Sequence, residues 1–163
     1  MFDLGNPIIF KQIRLGLKGE RFKIYKFRSM RDEALDINNH ERVNNYTIKV
    51  KSDPRITRLG EILRSTSLDE LPQLFNVLVG DMSIVGPRPF VPDDYSNFQM
   101  GWVDRLNVKP GITGLAQIRG RSDLTMEEII ENDVEWIKNR GILLYFSVLL
   151  KTFYFVLKRK NVY

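Results

Sequence analysis

The sequence has 163 residues, of which 43% are hydrophobic and 28% are charged. A chain of this length and composition can bury a hydrophobic core, which excludes wholesale disorder and favours one domain over residues 1–163. The absence of cysteine excludes disulfides, thiolate metal sites and cysteine nucleophiles. The one histidine, His40, lies in a polar run typical of an exposed loop, so we expect any chemistry to depend on carboxylates, lysines and arginines.

Positive charge is concentrated at the N-terminal end of the chain. The net charge is +5, but residues 1–31 hold eight basic and two acidic side chains, which leaves the remainder near neutral at −1. We therefore expect an anionic partner for the first segment. A nucleic acid, an anionic lipid surface and a phosphorylated small molecule all satisfy this expectation.

The first predicted element is a β-hairpin formed by Ile8–Arg14 and Phe22–Met30, two alternating stretches joined through glycines. Alternation places Lys26 and Arg28 on one face of the second strand, where two neighbouring cations suit a phosphate group. A solvated basic face explains the same pattern equally well.

Two helices are predicted next, after a polar excursion over Arg31–Lys51 that we expect to be mobile. The first spans Ile56–Arg64, and the second begins at Ser67. The apolar positions of the second helix are Leu71, Leu74, Phe75 and Leu78.

Two adjacent carboxylates, Asp69 and Glu70, stand at the predicted start of this second helix. Ser67 and Glu70 fit a capping box, and acidic residues in a first turn interact favourably with the helix dipole. Pro72 disturbs this structural interpretation because it removes a backbone hydrogen bond just inside the first turn. A distorted helix start at a carboxylate pair leaves catalysis as a second hypothesis.

A short strand at Met82–Val85 leads into a Gly-Pro-Arg-Pro turn that contains Arg88. The flanking prolines restrict the backbone, so Arg88 loses little entropy on binding and suits bidentate contact with a phosphate. An ordinary loop arginine is the alternative. The segment Lys109–Gly114 is predicted to be a turn-rich loop that leads into a helix over Leu115–Arg121.

Two helices are predicted at the C-terminal end. Thr125 and Glu128 form a capping box for a helix that extends through Lys138. The next tract, Ile142–Leu157, is very apolar but shorter than the ~20 residues that a spanning helix needs. Its distributed aromatics and the basic residues that follow fit either a core helix or an interfacial helix on anionic lipid.

Five segments occur in a distinctive order: Phe22–Met30, Asp53–Gly60, Ser67–Gln73, Gly80–Pro89 and Lys109–Gly114. Together they resemble the bacterial sugar transferase family, the monotopic polyprenyl-phosphate phosphoglycosyl transferases. The resemblance extends from about Pro7 to the final helix. One segment alone is a weak signal, whereas five in order are specific. We therefore expect an α+β fold, mostly helical around a small β-hairpin or sheet, with amphipathic helices at a membrane surface.

This resemblance implies an enzyme that transfers a phospho-sugar from a UDP-sugar to polyprenyl phosphate and releases UMP. It implies that Asp69 is the nucleophile, that Glu70 assists in positioning or proton handling, and that Mg²⁺ binds near Asp69. Covalent catalysis of this kind divides one displacement into two. The expected phosphate-binding residues are Lys26, Arg28, Arg64 and Arg88. Weaker candidates for contacts with nucleotide or sugar are Lys109, Thr113, Gln117 and Arg121.

The resemblance also implies a location at the cytoplasmic face of the bacterial inner membrane. Members of the family normally begin with a hydrophobic membrane helix just before the segment equivalent to Asn6–Ile8, and only Met1–Gly5 precedes it here. We therefore expect peripheral attachment through Ile142–Lys160 and the basic N-terminal segment. Two alternatives are an inactive relic of the transferase and a nucleic-acid-binding module, although we find no basic recognition helix or aromatic platform for nucleic acid.

Overall fold

The computed structural model describes residues 6–31, 42–43, 46–47, 53–92, 102–120 and 124–158. Within these residues the chain forms an α+β fold of short strands and helices, as expected from the sequence. The strands are β1 (Ile9–Leu15), β2 (Arg21–Phe27), β3 (Arg42–Val43), β4 (Tyr46–Thr47), β5 (Ser83–Val85) and β6 (Gly111–Thr113). The α-helices are α1 (Arg58–Ser65), α2 (Gln73–Leu78), α3 (Leu115–Arg119), α4 (Met126–Asn139) and α5 (Ile142–Lys158), and 3₁₀ turns span Leu17–Gly19, Leu68–Glu70 and Trp102–Asn107.

The predicted hairpin is confirmed. Strands β1 and β2 pair antiparallel in a register that runs from Ile9 opposite Phe27 to Leu15 opposite Arg21. The excursion predicted after the hairpin lies mostly outside the described residues, which here include only the two-residue strands β3 and β4.

The first predicted helix is confirmed as α1, and it lies close to the end of the hairpin. The Thr57 hydroxyl caps the helix by accepting a 2.9 Å hydrogen bond from the Gly60 amide. A Cβ at position 60 would clash with the backbone of Ser29, so glycine permits this close approach. This close packing of α1 against Ser29 fixes the position of the helix, and Arg64 lies in its last turn.

The capping box predicted at Ser67 and Glu70 is wrong. Ser67 has a φ of 57°, in the left-handed region, and its side chain makes no capping hydrogen bond. The chain forms a single 3₁₀ turn at Leu68–Glu70, and Pro72 is the N-cap of the separate helix α2. The distortion that Pro72 predicts is therefore present at the carboxylate pair.

Helix α2 buries its polar face and exposes its apolar face. Asn76 is fully buried, while the exposed fraction of Leu78 is 85%. The Asn76 carboxamide accepts a hydrogen bond from the Tyr25 amide and donates one to the Lys23 carbonyl. The Asn76 side chain thus attaches α2 to the edge of β2. Besides Leu78, the exposed apolar side chains of this segment are Leu68, Leu71, Leu74, Phe75 and Val79.

The main core is formed by strand β5 together with helices α3, α4 and α5. Strand β5 pairs with β6, so the turn predicted over Lys109–Gly114 is partly wrong. Three residues of parallel pairing carry too little periodicity to be recognised from sequence. The buried residues of this core are Val85, Leu115, Trp136 and Val148.

The two C-terminal helices are confirmed. Helix α4 begins with the predicted capping box, in which Thr125 and Glu128 each accept a hydrogen bond from the other's backbone amide. Helix α5 packs one side on the core through Val148 and exposes much of the rest. Among the described helices, none is long and apolar enough to cross a membrane.

Candidate active site

The carboxylate of Glu70 lies between two cations. Its Oε1 is 2.8 Å from Nζ of Lys26 and 3.5 Å from Nη1 of Arg88. These three residues come from the 3₁₀ turn, from β2 and from the Gly-Pro-Arg-Pro turn after β5. The fold therefore joins residues that are 44 and 18 positions apart in sequence.

Asp69 shares this electrostatic environment. Burial raises the pKa of Asp69, and the negative charge of Glu70 raises it further. The positive charges of Lys26, Arg64 and Arg88 act in the opposite direction on the same pKa. Asp69 is thus a partly desolvated carboxylate with three predicted phosphate-binding cations close enough to influence its ionisation.

Burial also acts on Lys26 within this cluster. It lowers the pKa of the Lys26 ammonium, an effect opposed by the Glu70 carboxylate and reinforced by the charge of Arg88. Three cations, Lys26, Arg64 and Arg88, act on the two carboxylates here, so an additional anion would be electrostatically favoured beside them. The cluster is suited to a phosphate group.

The Pro-Arg-Pro turn is held by hydrogen bonds to four consecutive carbonyls. The carbonyl of Pro87 accepts from the Gly111 amide at 2.8 Å, and that of Phe90 accepts from the Leu15 amide at 3.0 Å. The carbonyls of Arg88 and Pro89, which lie between these two, accept hydrogen bonds from side chains. Arg105 Nη2 donates to the carbonyl of Arg88 at 2.9 Å, and Arg14 Nη1 donates to that of Pro89 at 3.2 Å.

A shallow cavity opens beside the cluster. Its lining includes Lys26, Glu70, Gln73, Arg88 and Ile112. The exposed fraction of Gln73 is 2%, and its Nε2 has no hydrogen-bond partner among the described residues. A buried carboxamide with an unused donor is costly unless a ligand or water completes it. The cavity therefore combines two cations, a carboxylate and an available amide.

The structure places Arg28 differently from the other predicted phosphate-binding residues. Its side chain is buried, its Nε donates a 2.7 Å hydrogen bond to the Pro7 carbonyl, and its guanidinium lies 5.8 Å from the centre of the Phe10 ring. These contacts attach the end of β2 to the segment before β1. They support a structural role, and phosphate binding by Arg28 stays a prediction.

The weaker candidates have contacts of a different kind. Thr113 is buried, and its hydroxyl is 2.7 Å from that of Thr152 on α5. Lys109 is exposed with its ammonium beside Gly80, and Gln117 packs its carboxamide against Gly114. Substrate contacts by these residues stay predictions, and Arg121 lies outside the described residues.

The donor set at the carboxylate pair fits Mg²⁺ that is bound together with a phosphate ligand. No cluster of three or more acidic or histidine side chains suited to a metal occurs in the described part of the chain. Mg²⁺ commonly uses one or two carboxylates, with phosphate oxygens and water completing its coordination. Asp69, the residue predicted to bind the metal, would supply a carboxylate to the ion.

The sequence patterns did not single out Gln73, Arg14 or Arg105. Gln73 directly follows Pro72 inside the Ser67–Gln73 segment, and the only signal for it in the sequence was a polar residue between Leu71 and Leu74. The two arginines act on main-chain carbonyls that are 75 and 17 positions away. No local pattern reports contacts of that kind.

Comparison with known proteins gives a consistent result over nearly the whole chain. The family model described as bacterial sugar transferase matches residues 1–159. A galactosyl transferase, CpsE, of Streptococcus agalactiae is 45% identical over 94% of this chain and 35% of its own length. A UDP-glucose:undecaprenyl-phosphate glucose-1-phosphate transferase of Klebsiella pneumoniae is 44% identical over 96% of this chain and 34% of its own length.

A third relative is the undecaprenyl-phosphate galactose phosphotransferase of Salmonella typhimurium, 41% identical over 98% of this chain and 35% of its own length. The chain thus spans about a third of the length of these relatives. Their names include both glucose and galactose.

Proposed function

This chain belongs to the bacterial sugar transferase family, and from that premise we propose that it transfers a phospho-sugar from a UDP-sugar to a polyprenyl phosphate. The observation that carries the proposal is that Glu70, the neighbour of Asp69 in the 3₁₀ turn, lies between Lys26 and Arg88. Phosphoryl transfer needs positioning and neutralisation of negative charge more than any other protein contribution.

In the first step, a carboxylate oxygen of Asp69 attacks the phosphorus that bears the sugar. A bond forms between that oxygen and phosphorus, the bridging bond between the two phosphates breaks, and UMP leaves. In the second step, an oxygen of polyprenyl phosphate attacks the same phosphorus and the bond to Asp69 breaks. The carboxylate is regenerated, and the product is a polyprenyl-diphosphate sugar.

The cations around the carboxylate pair support this chemistry. Lys26 and Arg88 lie close enough to Glu70 to neutralise it in the absence of substrate. A diphosphate bound beside Lys26 and Arg88 offers better anionic partners to both, and the guanidinium of Arg88 can contact two phosphate oxygens at once. Glu70 then remains beside Asp69 to position groups or accept a proton. Mg²⁺ held by Asp69 and the phosphates would neutralise further negative charge on the diphosphate.

The apolar surface next to the carboxylates supports a lipid substrate. Leu78 and Phe75 of α2 are more than half exposed, directly after the 3₁₀ turn that carries Asp69. A contiguous exposed apolar surface of this kind marks an interaction site. We assign it, together with the exposed apolar side of α5, to the cytoplasmic face of the inner membrane, where a polyprenyl phosphate presents its head group. The exposed residues of α5 include Leu143, Phe146, Leu150, Phe153 and Leu157.

The proposed transfer is tested by incubating the chain with UDP-glucose or UDP-galactose, Mg²⁺ and undecaprenyl phosphate in detergent. We expect UMP release that depends on both substrates and on the divalent ion, and EDTA should abolish it. Absence of UMP release with a panel of UDP-sugars, together with steeply salt-dependent DNA binding, would favour a nucleic-acid-binding module.

Membrane contact has a separate test in sedimentation with vesicles of phosphatidylglycerol and phosphatidylcholine. We expect Phe75→Ser with Leu78→Ser to reduce the bound fraction severalfold, because the two side chains supply much of the apolar area of α2. Ile13→Ser on β1 is the control for loss of an exposed apolar residue. Equal binding by all three chains would contradict the assignment of α2 to the lipid surface.

A further inference from the structure

A buried ion pair lies beneath the Pro-Arg-Pro turn. The exposed fractions of the Arg105 and Asp133 side chains are 3% and 1%, and Nη2 of the arginine lies 2.5 Å from Oδ2 of the aspartate. The same Nη2 donates to the carbonyl of Arg88, and the guanidinium stacks 3.5 Å from the centre of the Phe90 ring. One guanidinium therefore contacts the turn twice and a helix once.

The helix that supplies the aspartate is firmly fixed. Helix α4 begins with the capping box of Thr125 and Glu128 and places Trp136 in the main core, one turn after Asp133. Asp133 therefore has a well-defined position. Arg105 links Asp133 to the Arg88 carbonyl and so restrains the main chain of the turn.

Stability alone is a weak reason for this pair. Desolvation of two charges offsets most of their attraction, so well-packed apolar residues of similar volume are often as stabilising as a buried ion pair. The specific effect of the pair is geometric, since a charge-assisted hydrogen bond fixes one carbonyl in one place. The side chain of Arg88 is 37% exposed, so its guanidinium is accessible to an anion, and its Nη1 makes only a long 3.5 Å contact with Glu70.

We propose that Arg105 and Asp133 are positioning residues that fix the backbone of Arg88 so that its guanidinium meets the diphosphate of the donor. This proposal rests on the transferase function given above. Neither residue touches substrate, and both act through Arg88. A displacement of about 1 Å at a positioning group can reduce the rate by about 100-fold.

The test compares the Arg105→Met/Asp133→Leu variant with the parent chain in two backgrounds, one with Arg88 and one with Arg88→Ala. Replacing both charges avoids leaving one of them buried without a partner. UMP release is measured under saturating and limiting UDP-sugar. The exposed ion pair of Arg119 and Glu135, at side-chain exposures of 46% and 43%, supplies the control variant Arg119→Met/Glu135→Leu.

We expect the buried-pair variant to lose about 10- to 100-fold in kcat when Arg88 is present. In the Arg88→Ala background the further loss should be less than twofold, because a residue that acts through Arg88 has nothing left to position. The surface-pair control should stay within twofold of the parent. An equal loss in both backgrounds, or no loss at all, would overturn the proposal while leaving the transferase function intact.

A second measurement does not depend on turnover. The backbone order parameter of the Arg88 amide, from ¹⁵N relaxation, should fall in the buried-pair variant and remain unchanged in the surface-pair control. An unchanged order parameter at Arg88 in the buried-pair variant would refute the proposal that Arg105 and Asp133 fix its backbone. Should the parent chain release no UMP, the proposed function fails, and this measurement still decides whether the pair fixes Arg88.

Discussion

The ammonium of Lys26 lies 2.8 Å from Oε1 of Glu70 and joins the second strand of the hairpin to the distorted turn that carries both acidic residues. This contact closes one side of the candidate active site. Arg88 approaches the same oxygen from the other side. The site is thus assembled by tertiary packing from three separate parts of the chain.

Replacing Lys26 by methionine should reduce UMP release by about 100-fold, because the variant loses a cation that neutralises charge in the transition state. The matched control is Lys23→Met, an exposed residue on the opposite face of the same strand. Rates are compared at saturating UDP-sugar. If Lys26→Met stays within twofold of the parent, Lys26 has no part in neutralisation.

Replacing Arg88 by lysine should lower the rate by about 10-fold or more, because a single ammonium cannot contact two phosphate oxygens as a planar guanidinium does. The loss should appear in kcat/KM for the UDP-sugar. Arg119→Lys, at an exposed ion pair, is the control for arginine replacement as such. Full activity of Arg88→Lys would show that Arg88 serves only the structure of the turn.

Asp69→Asn should stabilise the fold at neutral pH in the presence of EDTA. Burial raises the pKa of Asp69 above its usual value of 3.8, so folding favours the neutral form of the side chain. The favourable contribution is complete below pH 3.8 and is lost as the pH rises through the raised pKa. The asparagine keeps the neutral form at every pH.

The melting temperature of Asp69→Asn should therefore exceed that of the parent at pH 7, by about 2–4 °C for each 1 kcal/mol gained in a chain of this size. The gain should shrink as the pH is lowered toward 4. Thermal unfolding followed by circular dichroism over this range provides the measurement. A variant that is less stable than the parent at pH 7 would contradict the desolvation of Asp69.

Asn76→Ala should destabilise the chain by about 2–4 kcal/mol, because it removes a buried side chain that bonds two backbone groups of β2 and leaves those groups without partners. The carboxamide also lies 3.2 Å from Oδ2 of Asp81. Urea unfolding gives the free energy, and the exposed Asn139→Ala is the control. A change below 0.5 kcal/mol would mean that α2 is held on β2 by other contacts.

Local patterns predicted much of the fold. The hairpin, α1, the capping box at Thr125 and the apolar α5 all follow from periodicity, turn glycines or cap residues within a few positions. The parallel pairing of β5 with β6 did not follow, because it joins three-residue strands 28 positions apart. Parallel pairs of this length have no turn residue or alternation to mark them.

Periodicity is a poor guide to burial in α2. An apolar stripe at Leu71, Leu74 and Leu78 ordinarily faces a core. Here Gln73 and Asn76 are buried while the leucines are exposed, because Asn76 satisfies the edge of a strand. Alternation likewise placed Lys26 and Arg28 on one face of the predicted strand Phe22–Met30, but Lys26 reaches Glu70 whereas Arg28 binds the Pro7 carbonyl.

The most direct test of the account is capture of the covalent intermediate on Asp69. The chain is mixed with UDP-sugar labelled with ³²P in the phosphate next to the sugar, in Mg²⁺ without undecaprenyl phosphate, and is then denatured and digested. We predict label in the peptide that contains Asp69, no label in Asp69→Asn, and loss of the label when undecaprenyl phosphate is added before denaturation. UMP release by the parent with no label retained on Asp69 at any time would contradict the proposed nucleophile.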